Sequence, residues 1–468
     1  MYSSLLGMVG CGRGFGHGLS RARRLRIGLF AALVLTAACA PPEPGARNLV
    51  LLSLDTLRAD RLGLYGYGRD TSPRIDAFAG EAFVFERAQS AANATAGAHH
   101  ALFQSRPASR AIGSSGKAPT LAGILHGAGW RTAGFTDGGT MSRAMGFARG
   151  FQRFDDGNRG LSESLPKALA WLDEVAGGRA PFYLFVHSFD AHLPYDPPPP
   201  YDERFGADYD GPVTGARTLP LLRGVRRIFE QSHLDGPIVL DPADRERVSA
   251  LYDGEIAKTD ALLASLLDRL DAPDLVGDTL IVLLSDHGEE FWEHGSVLHS
   301  HTLYQELLHV PLILRVPGWR DRGARIATPV SMIDLLPTLL ELLHVPAPPG
   351  LRGHSLLPLL LEPGRAHEPR PLLSEGYPFG RNQQSVSLDG FKLIRSLRSG
   401  RVELYDLEAD PDERNDLAAA RPEVRSRLLA LLDSELPSDP ALPSDPLARP
   451  GELDAETLRR LQELGYVD

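Results

Sequence analysis

The chain has 468 residues, 23% of them charged and 43% apolar, with a formal net charge of −11 and two cysteines. That apolar content is too high for a disordered chain, and two cysteines cannot build a disulfide scaffold, a zinc ribbon or an iron–sulfur site. The acidic balance excludes non-specific nucleic-acid binding, which needs a basic face.

Residues 1–39 hold Arg13, Arg21, Arg23, Arg24 and Arg26 and no acidic residue, which leaves a net charge of −16 on the rest. Arg21 to Arg26 form a positive n-region. Ile27 to Ala38 then run 12 residues without a charge, a secretory h-region too short for a membrane span of about 20 residues. The run closes on Leu35-Thr-Ala-Ala-Cys39, which resembles the lipobox of bacterial lipoproteins, where the cysteine is acylated. Ordinary signal cleavage near the same point is the alternative. Residues 1–39 are thus expected to be a signal peptide with a lipobox. Residues 40–46, with Pro41, Pro42 and Pro44, read as an extended tether. The expected location is outside the cytoplasm, as a periplasmic or outer-membrane-anchored lipoprotein that meets the membrane through acylated Cys39. Cys11 leaves with the leader.

Residues 48–54, 182–187 and 279–285 are continuous apolar runs, each followed by polar residues. Such runs suit strands buried on both faces of a largely parallel sheet, and ligands bind at the C-terminal edge of that kind of sheet. Leu165, Leu169, Leu172 and Val175 fall on one helical face, with Ser164 as the expected N-cap and Gly177-Gly178 as the stop. Residues 244–270 predict a long helix ending at Asp271-Ala-Pro273. The alternation predicts an α/β sandwich over 47–370. Beyond it, 384–396 and 401–407 read as short strands with turns at Leu388-Asp-Gly390 and Arg398-Ser-Gly400, and a helix follows near 422–434. This predicts a small antiparallel subdomain over 371–435. Residues 436–468 read as a Pro-rich linker and a last helix, capped by Asp454, with Leu458, Leu461 and Leu464 on one face.

Three strand ends carry clustered polar groups: Asp55-Thr-Leu-Arg-Ala-Asp60, His187-Ser-Phe-Asp190-Ala-His192, and Asp286-His-Gly-Glu-Glu290 followed by His294, His299 and His301. A carboxylate beside an imidazole directly after a buried strand offers rigidly placed N and O donors, as a transition-metal site needs. Any one of these ends alone reads equally well as a loop cap; three together predict a metal site.

Further motifs run in order along the chain: residues 48–67 (from Asn48-Leu-Val-Leu-Leu-Ser-Leu-Asp-Thr-Leu-Arg to Tyr67), Thr71-Ser-Pro-Arg-Ile-Asp76, Gly150-Phe-Gln-Arg-Phe-Asp-Asp156, Asp190-Ala-His-Leu-Pro-Tyr195, Tyr252-Asp-Gly-Glu-Ile256, Ser285-Asp-His-Gly-Glu-Glu290, Met332-Ile-Asp-Leu-Leu-Pro-Thr338, Glu403-Leu-Tyr-Asp-Leu-Glu-Ala-Asp-Pro411 and the closing Leu464-Gly-Tyr466. Jointly they resemble the sulfatase family of the alkaline-phosphatase superfamily over roughly residues 47–435 plus the tail. The resemblance implies a sulfatase-like α/β sandwich with a large mostly parallel central sheet and a small C-terminal antiparallel subdomain. It also implies hydrolysis of a small anionic ester, sulfate or phosphate.

In that family a Cys or Ser in a Cys/Ser-x-Pro-Ser-Arg motif becomes formylglycine, whose hydrate attacks sulfur. A sister pattern reads Thr-x-Pro-Ser-His-Ala-Ser. This chain has Thr95-Ala-Gly-Ala-His99-His100-Ala101 at the matching place. Thr95 stands at the nucleophile position and His99 at the Arg/His position, while Gly97 and Ala98 replace the Pro and Ser. Threonine cannot become formylglycine by the cysteine or serine route, so its hydroxyl needs activation by a metal. Calcium-type sulfatases use an all-oxygen Asp-Asp…Asp-Asn site. Here Thr56 replaces the second Asp and His287 the Asn, which moves the preference toward zinc or manganese.

The resemblance implies one divalent ion held by Asp55, Asp286 and His287, with Thr95 as nucleophile and fourth ligand. It implies His192 as the histidine contacting the transferred group or leaving oxygen. His299 stands near a substrate-binding Lys or His, and His99 near the substrate. His187, Asp190, His294 and His301 divide between support of the site and plain core roles, and His309 reads as structural. Two alternatives stay open: a phospho-group transferase working at a membrane, and a catalytically eroded binding protein. Substrate loops are expected at 138–160 and 200–240. The oligomeric state is open.

Overall fold

The computed structural model describes residues 46–113, 118–231, 240–319, 323–365, 367–376, 383–436 and 453–466. The leader, Cys39, the tether up to residue 45 and nearly all of the Pro-rich linker lie outside the described residues.

An eight-stranded sheet forms the centre. Its strands are β1 (Asn48–Leu54), β2 (Phe83–Phe85), β3 (Arg131–Phe135), β4 (Arg153–Asp155), β5 (Phe182–Ser188), β6 (Thr279–Leu284), β7 (Leu312–Arg315) and β8 (Arg325–Ile326). They lie in the order β8-β2-β7-β6-β1-β5-β3-β4. β1 runs parallel to both β5 and β6, and β3 runs parallel to β5 and β4. β7 alone reverses, pairing antiparallel with β6 and β2.

The apolar run of β1 serves two cores at once, because successive side chains of a strand point to opposite faces. Leu49 and Leu51 join one cluster with Phe85, Phe103 and Leu121. Val50, Leu52 and Leu54 join another with Leu165, Leu172, Leu251 and Leu263. Each fully buried aliphatic side chain stabilises the fold by about 1.5–3 kcal/mol. A period-2 amphipathic strand could not fill this central place.

Helices cover both faces. They include α1 (Thr95–Gln104), α2 (Leu161–Val175) and the 29-residue α3 (Pro242–Leu270), whose N-terminus is closed by a capping box between Asp241 and Asp244. The expected Ser164 cap is corrected: α2 begins at Leu161 and its N-cap is Gly160, at φ +84°. The orphan amide of the first turn finds its partner outside the helix, since Leu161 N donates to Asp190 Oδ2 at 2.6 Å. Ser164 is buried inside the first turn. Asp190 also pairs with Lys258 of α3 at 3.0 Å, tying α2, α3 and the end of β5 together.

The C-terminal subdomain is a four-stranded antiparallel sheet of β9 (Leu372–Gly376), β10 (Gln383–Leu388), β11 (Phe391–Ser396) and β12 (Val402–Asp406). Asp389 and Gly390 both have positive φ, as a two-residue hairpin turn between right-twisted strands requires. α4 (Pro422–Glu435) lays Leu428 and Leu432 on Val386, Leu393 and Leu404. The sheet docks on the main body by a backbone bond from Glu375 to Ala91 at 3.0 Å.

The last described element, α5 (Ala455–Glu463), is capped by Asp454, which accepts from Thr457 N at 2.8 Å. Leu461 and Leu464 sink into the same core as Met141, while Leu458 is half-buried. Arg460 Nε donates to the carbonyl of Asp137 at 2.9 Å. These contacts lay the tail over the C-terminal edge of the sheet.

Candidate active site

β6, β1 and β5 are neighbours, and their C-terminal ends carry Asp286, Asp55 and His187. Thr95 opens α1 against that edge and is 1% exposed. Its Oγ1 lies 3.3 Å from His287 Nε2 and 3.1 Å from the Tyr466 hydroxyl. The His287 ring is oriented by Nδ1, which donates to the carbonyl of Gly288 at 2.9 Å. Its Nε2 therefore points into the site, 3.6 Å from Asp286 and 3.9 Å from Asp55.

Asp55, Asp286 and His287 each place one ligand atom within 4.8 Å of the others. His99, His187 and Asp286 do the same. Asp55 Oδ1 and both carboxylate oxygens of Asp286 are buried without a hydrogen-bond partner. Buried carboxylate oxygens are costly unless they are bonded or coordinate a cation. The donor set of two carboxylates and an imidazole thus fits a divalent ion.

The electrostatics point the same way. Burial, reinforced by Asp286, pushes the Asp55 carboxyl well above its ordinary range. Burial opposes ionisation of Asp286 too, but His287, His99 and His187 outweigh it and hold that carboxyl low. Two carboxylates in one dry site want a positive charge between them.

Burial opposes charge on His287 as well, but Asp286 and Asp55 outweigh it and push that imidazole up. Burial pulls His99 and His187 down to about 4. His99 is engaged at both nitrogens, by Ser53 Oγ and by the Thr95 carbonyl, each at 2.9 Å, and it stands 3.5 Å from Asp286. It is fully buried. His187 faces Asp55 Oδ2 at 3.3 Å.

A second group of side chains closes the other side of Thr95. His192 Nε2 lies 3.2 Å and His299 Nε2 3.3 Å from the Tyr466 hydroxyl. His192 Nδ1 donates to the carbonyl of Leu193 at 2.7 Å, and burial keeps that ring neutral by pulling it down to about 3. His299 Nδ1 meets Glu289 Oε1 at 2.9 Å, and Glu289 in turn accepts from Tyr195 OH at 2.7 Å.

Other residues singled out in the sequence have structural partners. Thr56 sits in the left-handed region at φ +56°, and its hydroxyl donates to the carbonyls of Asp55 and Ala191 at 2.7 and 3.1 Å. It therefore does not face the cation group. Asp190 caps α2 as described. His294 stacks on Tyr304, with ring centroids 3.5 Å apart, and bonds Glu306 at 2.7 Å. His301 bonds Glu290 at 2.7 Å, and His309 bonds the carbonyl of Glu86 at 2.8 Å. Loop 138–160 supports the tail at Gly139, where a Cβ would lie 2.8 Å from Leu464. Residues 232–239 of the other expected substrate loop lie outside the described residues.

Two site residues carry no signal of their own in the sequence. Glu289 is inconspicuous beside Asp286 and His287. Tyr466 lies 371 positions from Thr95; only its place in the closing Leu464-Gly-Tyr466 motif marks it.

The Sulfatase family model matches residues 47–345, and a model described as N-sulphoglucosamine sulphohydrolase, C-terminal, matches residues 292–436. Arylsulfatase K of Gallus gallus is 36% identical over 198 residues, covering 40% of this chain and 37% of that protein. Arylsulfatase K of Homo sapiens is 32% identical over 189 residues, covering 38% and 35%. The chain thus spans little more than a third of the length of these relatives. Among solved structures, the phosphonate monoester hydrolase of Agrobacterium radiobacter superposes with a TM-score of 0.65 at 20% identity, covering 83% of this chain and 96% of that one. A protein solved in complex with its substrate D-glucosamine-2-N,6-O-disulfate superposes with a TM-score of 0.66 at 20% identity, covering 83% and 97%. These likenesses show the shared fold. With its family model matched over most of the length, the chain belongs to the sulfatase family.

Proposed function

We propose that the protein hydrolyses sulfate or phosphate esters through a covalent intermediate on Thr95. The observation that carries this reading is the Thr95 hydroxyl, 3.3 Å from His287 Nε2 beside carboxylate oxygens that lack partners. Asp55, Asp286 and His287 would hold one divalent ion, zinc or manganese rather than calcium because one donor is an imidazole. That ion would supply a lowered pKa for the Thr95 hydroxyl.

The remaining work falls to the chain. Thr95 gives up its hydroxyl proton to solvent, and its Oγ1 forms a bond to the sulfur or phosphorus while the bond to the leaving oxygen breaks. His299, oriented by Glu289, gives its proton to that oxygen. In the second half, His299 takes a proton from water as the water oxygen bonds to sulfur or phosphorus. The Thr95–ester bond then breaks and Thr95 recovers its oxygen. Closure of the site, with Thr95 1% exposed and His192 3% exposed, excludes other water. Two structural neighbours support this range of chemistry: one was solved with D-glucosamine-2-N,6-O-disulfate as its substrate, and the other is a phosphonate monoester hydrolase.

The test is turnover of nitrophenyl sulfate, phosphate, phosphodiester and phosphonate by the metal-loaded protein, with mass spectrometry of a trapped adduct. At least one ester should turn over, with the adduct on Thr95. Activity that survives Thr95→Ala overturns the reading. Export and acylation at Cys39 belong to the same proposal, supported by the basic leader and Leu35-Thr-Ala-Ala-Cys39. Palmitate incorporation that persists in Cys39→Ala overturns that part.

A further inference from the structure

The last described residue, Tyr466, reaches into the site. Tyr466 OH touches three groups at once: Thr95 Oγ1 at 3.1 Å, His192 Nε2 at 3.2 Å and His299 Nε2 at 3.3 Å. Several anchors hold the segment there. Arg460 is tied to the Asp137 carbonyl, Leu461 is fully buried, and Leu464 packs on Gly139. The Tyr466 ring lies 5.5 Å from His192, centroid to centroid.

The directions of the surrounding hydrogen bonds define what is missing. A sulfuryl or phosphoryl group under attack by Thr95 carries negative charge on its non-bridging oxygens and needs donors aimed at them. His192 spends its N–H on the carbonyl of Leu193, so its Nε2 reaches the site as an acceptor. His299 spends its Nδ1 on Glu289. His99 is occupied at both nitrogens behind α1. Tyr466 brings an O–H that can rotate about its C–O bond from an imidazole toward a substrate oxygen.

We infer that Tyr466 is a catalytic residue whose hydroxyl donates a hydrogen bond to an oxygen of the group transferred to Thr95, which makes the C-terminal segment part of the active site. The inference rests on the proposed role of Thr95. It deepens that role by naming the donor that meets the charge building up on the transferred group.

The test is Tyr466→Phe in the full-length, metal-loaded protein, which keeps the ring against His192 and removes one oxygen. Two readouts decide it: steady-state kinetics on the nitrophenyl ester that the wild type turns over, and calorimetric binding of orthovanadate. Removing one preorganised donor is expected to lower kcat about 100- to 1,000-fold. KM should move less than about threefold, orthovanadate should bind about tenfold or more weakly, and the melting temperature should match the wild type. A kcat equal to or above that of the wild type overturns the proposal, and a higher one identifies the tail as a plug. Unchanged orthovanadate affinity overturns it as well. A fall in kcat that tracks a lowered melting temperature, with orthovanadate affinity unchanged, marks a merely structural tail and also overturns it. Thr95→Ala, measured alongside, judges the nucleophile separately. If that variant stays active the Thr95 reading falls, and the orthovanadate result still decides whether Tyr466 holds the oxyanion.

Discussion

Oγ1 of Thr95 and Nε2 of His287 stand 3.3 Å apart, and the imidazole cannot swing away because its other nitrogen is fixed to the Gly288 carbonyl. Thr95→Ala leaves this ring in place and removes only the proposed nucleophile. It is expected to lower kcat/KM by about 1,000-fold or more, as loss of a covalent nucleophile does. Thr95→Ser should restore most of the activity. Kinetics and metal content of both variants check this, with metal content close to wild type in each.

The pairing of Asp55 with Asp286 predicts opposite effects with and without metal. Chelation should destabilise the protein by about 3 kcal/mol, relative to a state holding the ion at about 100 times its Kd. The carboxyl of Asp55 is raised in the folded protein, so its favourable contribution is complete below its unfolded pKa and is lost as pH rises. At neutral pH it therefore destabilises the metal-free fold. Asp55→Asn should bind no metal and yet melt at a higher temperature than metal-free wild type. Differential scanning calorimetry on both proteins in chelator tests the sign.

Glu289 and His299 form an oriented pair at 2.9 Å. If His299 protonates the leaving oxygen, His299→Ala should cost little with a nitrophenol leaving group, which departs as an anion unaided. With an alkyl alcohol leaving group it should cost about 100-fold or more. Glu289→Gln should show the same dependence with a smaller loss. A leaving-group series measured on both variants gives the slope, and equal losses across the series contradict the assignment.

Asp260 accepts from the backbone amides of Arg74 and Ile75 at 3.0 and 2.8 Å, bracing the start of the helix Pro73–Ala79. Burial still dominates and raises its pKa from 3.8 to about 6. The raised value means that its stabilising contribution is complete below pH 3.8 and fades as pH climbs through about 6. Asp260→Asn should flatten the fall in unfolding free energy between those values, by up to about 3 kcal/mol. Urea titrations at several pH values measure it.

Gly160 stands at φ +84°, and a Cβ there would lie 2.8 Å from Asp190 Oδ1. Gly160→Ala should destabilise the protein by about 1–3 kcal/mol through strain and a disturbed helix cap. Ser164→Ala, at the residue expected from sequence to be the cap, should cost clearly less, and thermal melts of the two variants decide.

The parts of this architecture legible in the sequence are those whose cause is local. A parallel strand buried on both faces must be apolar throughout, so β1, β5 and β6 stand out, and the polar residues after them mark the sheet edge that holds Asp55, His187 and Asp286. The hairpin at Asp389-Gly390 is equally local, because both residues must take positive φ. What the sequence hid has distant causes. Ser164 has the right chemistry for a cap, but the orphan amide belongs to Leu161 and its partner is Asp190, 29 positions away. Thr56 sits in the motif where an acid would ligate, yet its backbone turns its hydroxyl onto two carbonyls. His99 stands at the Arg/His position of the motif, and only the fold shows that its two nitrogens meet Ser53 and the Thr95 carbonyl.

The separation of 371 positions between Thr95 and Tyr466 also sets an order of assembly. Contacts between chain ends so far apart form late, because closing a long loop is paid in entropy before any contact rewards it. The candidate cation donors and the strands β1, β5 and β6 beside them, all drawn from residues before 290, can come together while the tail is still unplaced. A folding chain therefore passes through a stage in which it can capture its ion before its site is complete. Metal uptake should run ahead of the appearance of activity during refolding, and the lag between them times the docking of the last helix.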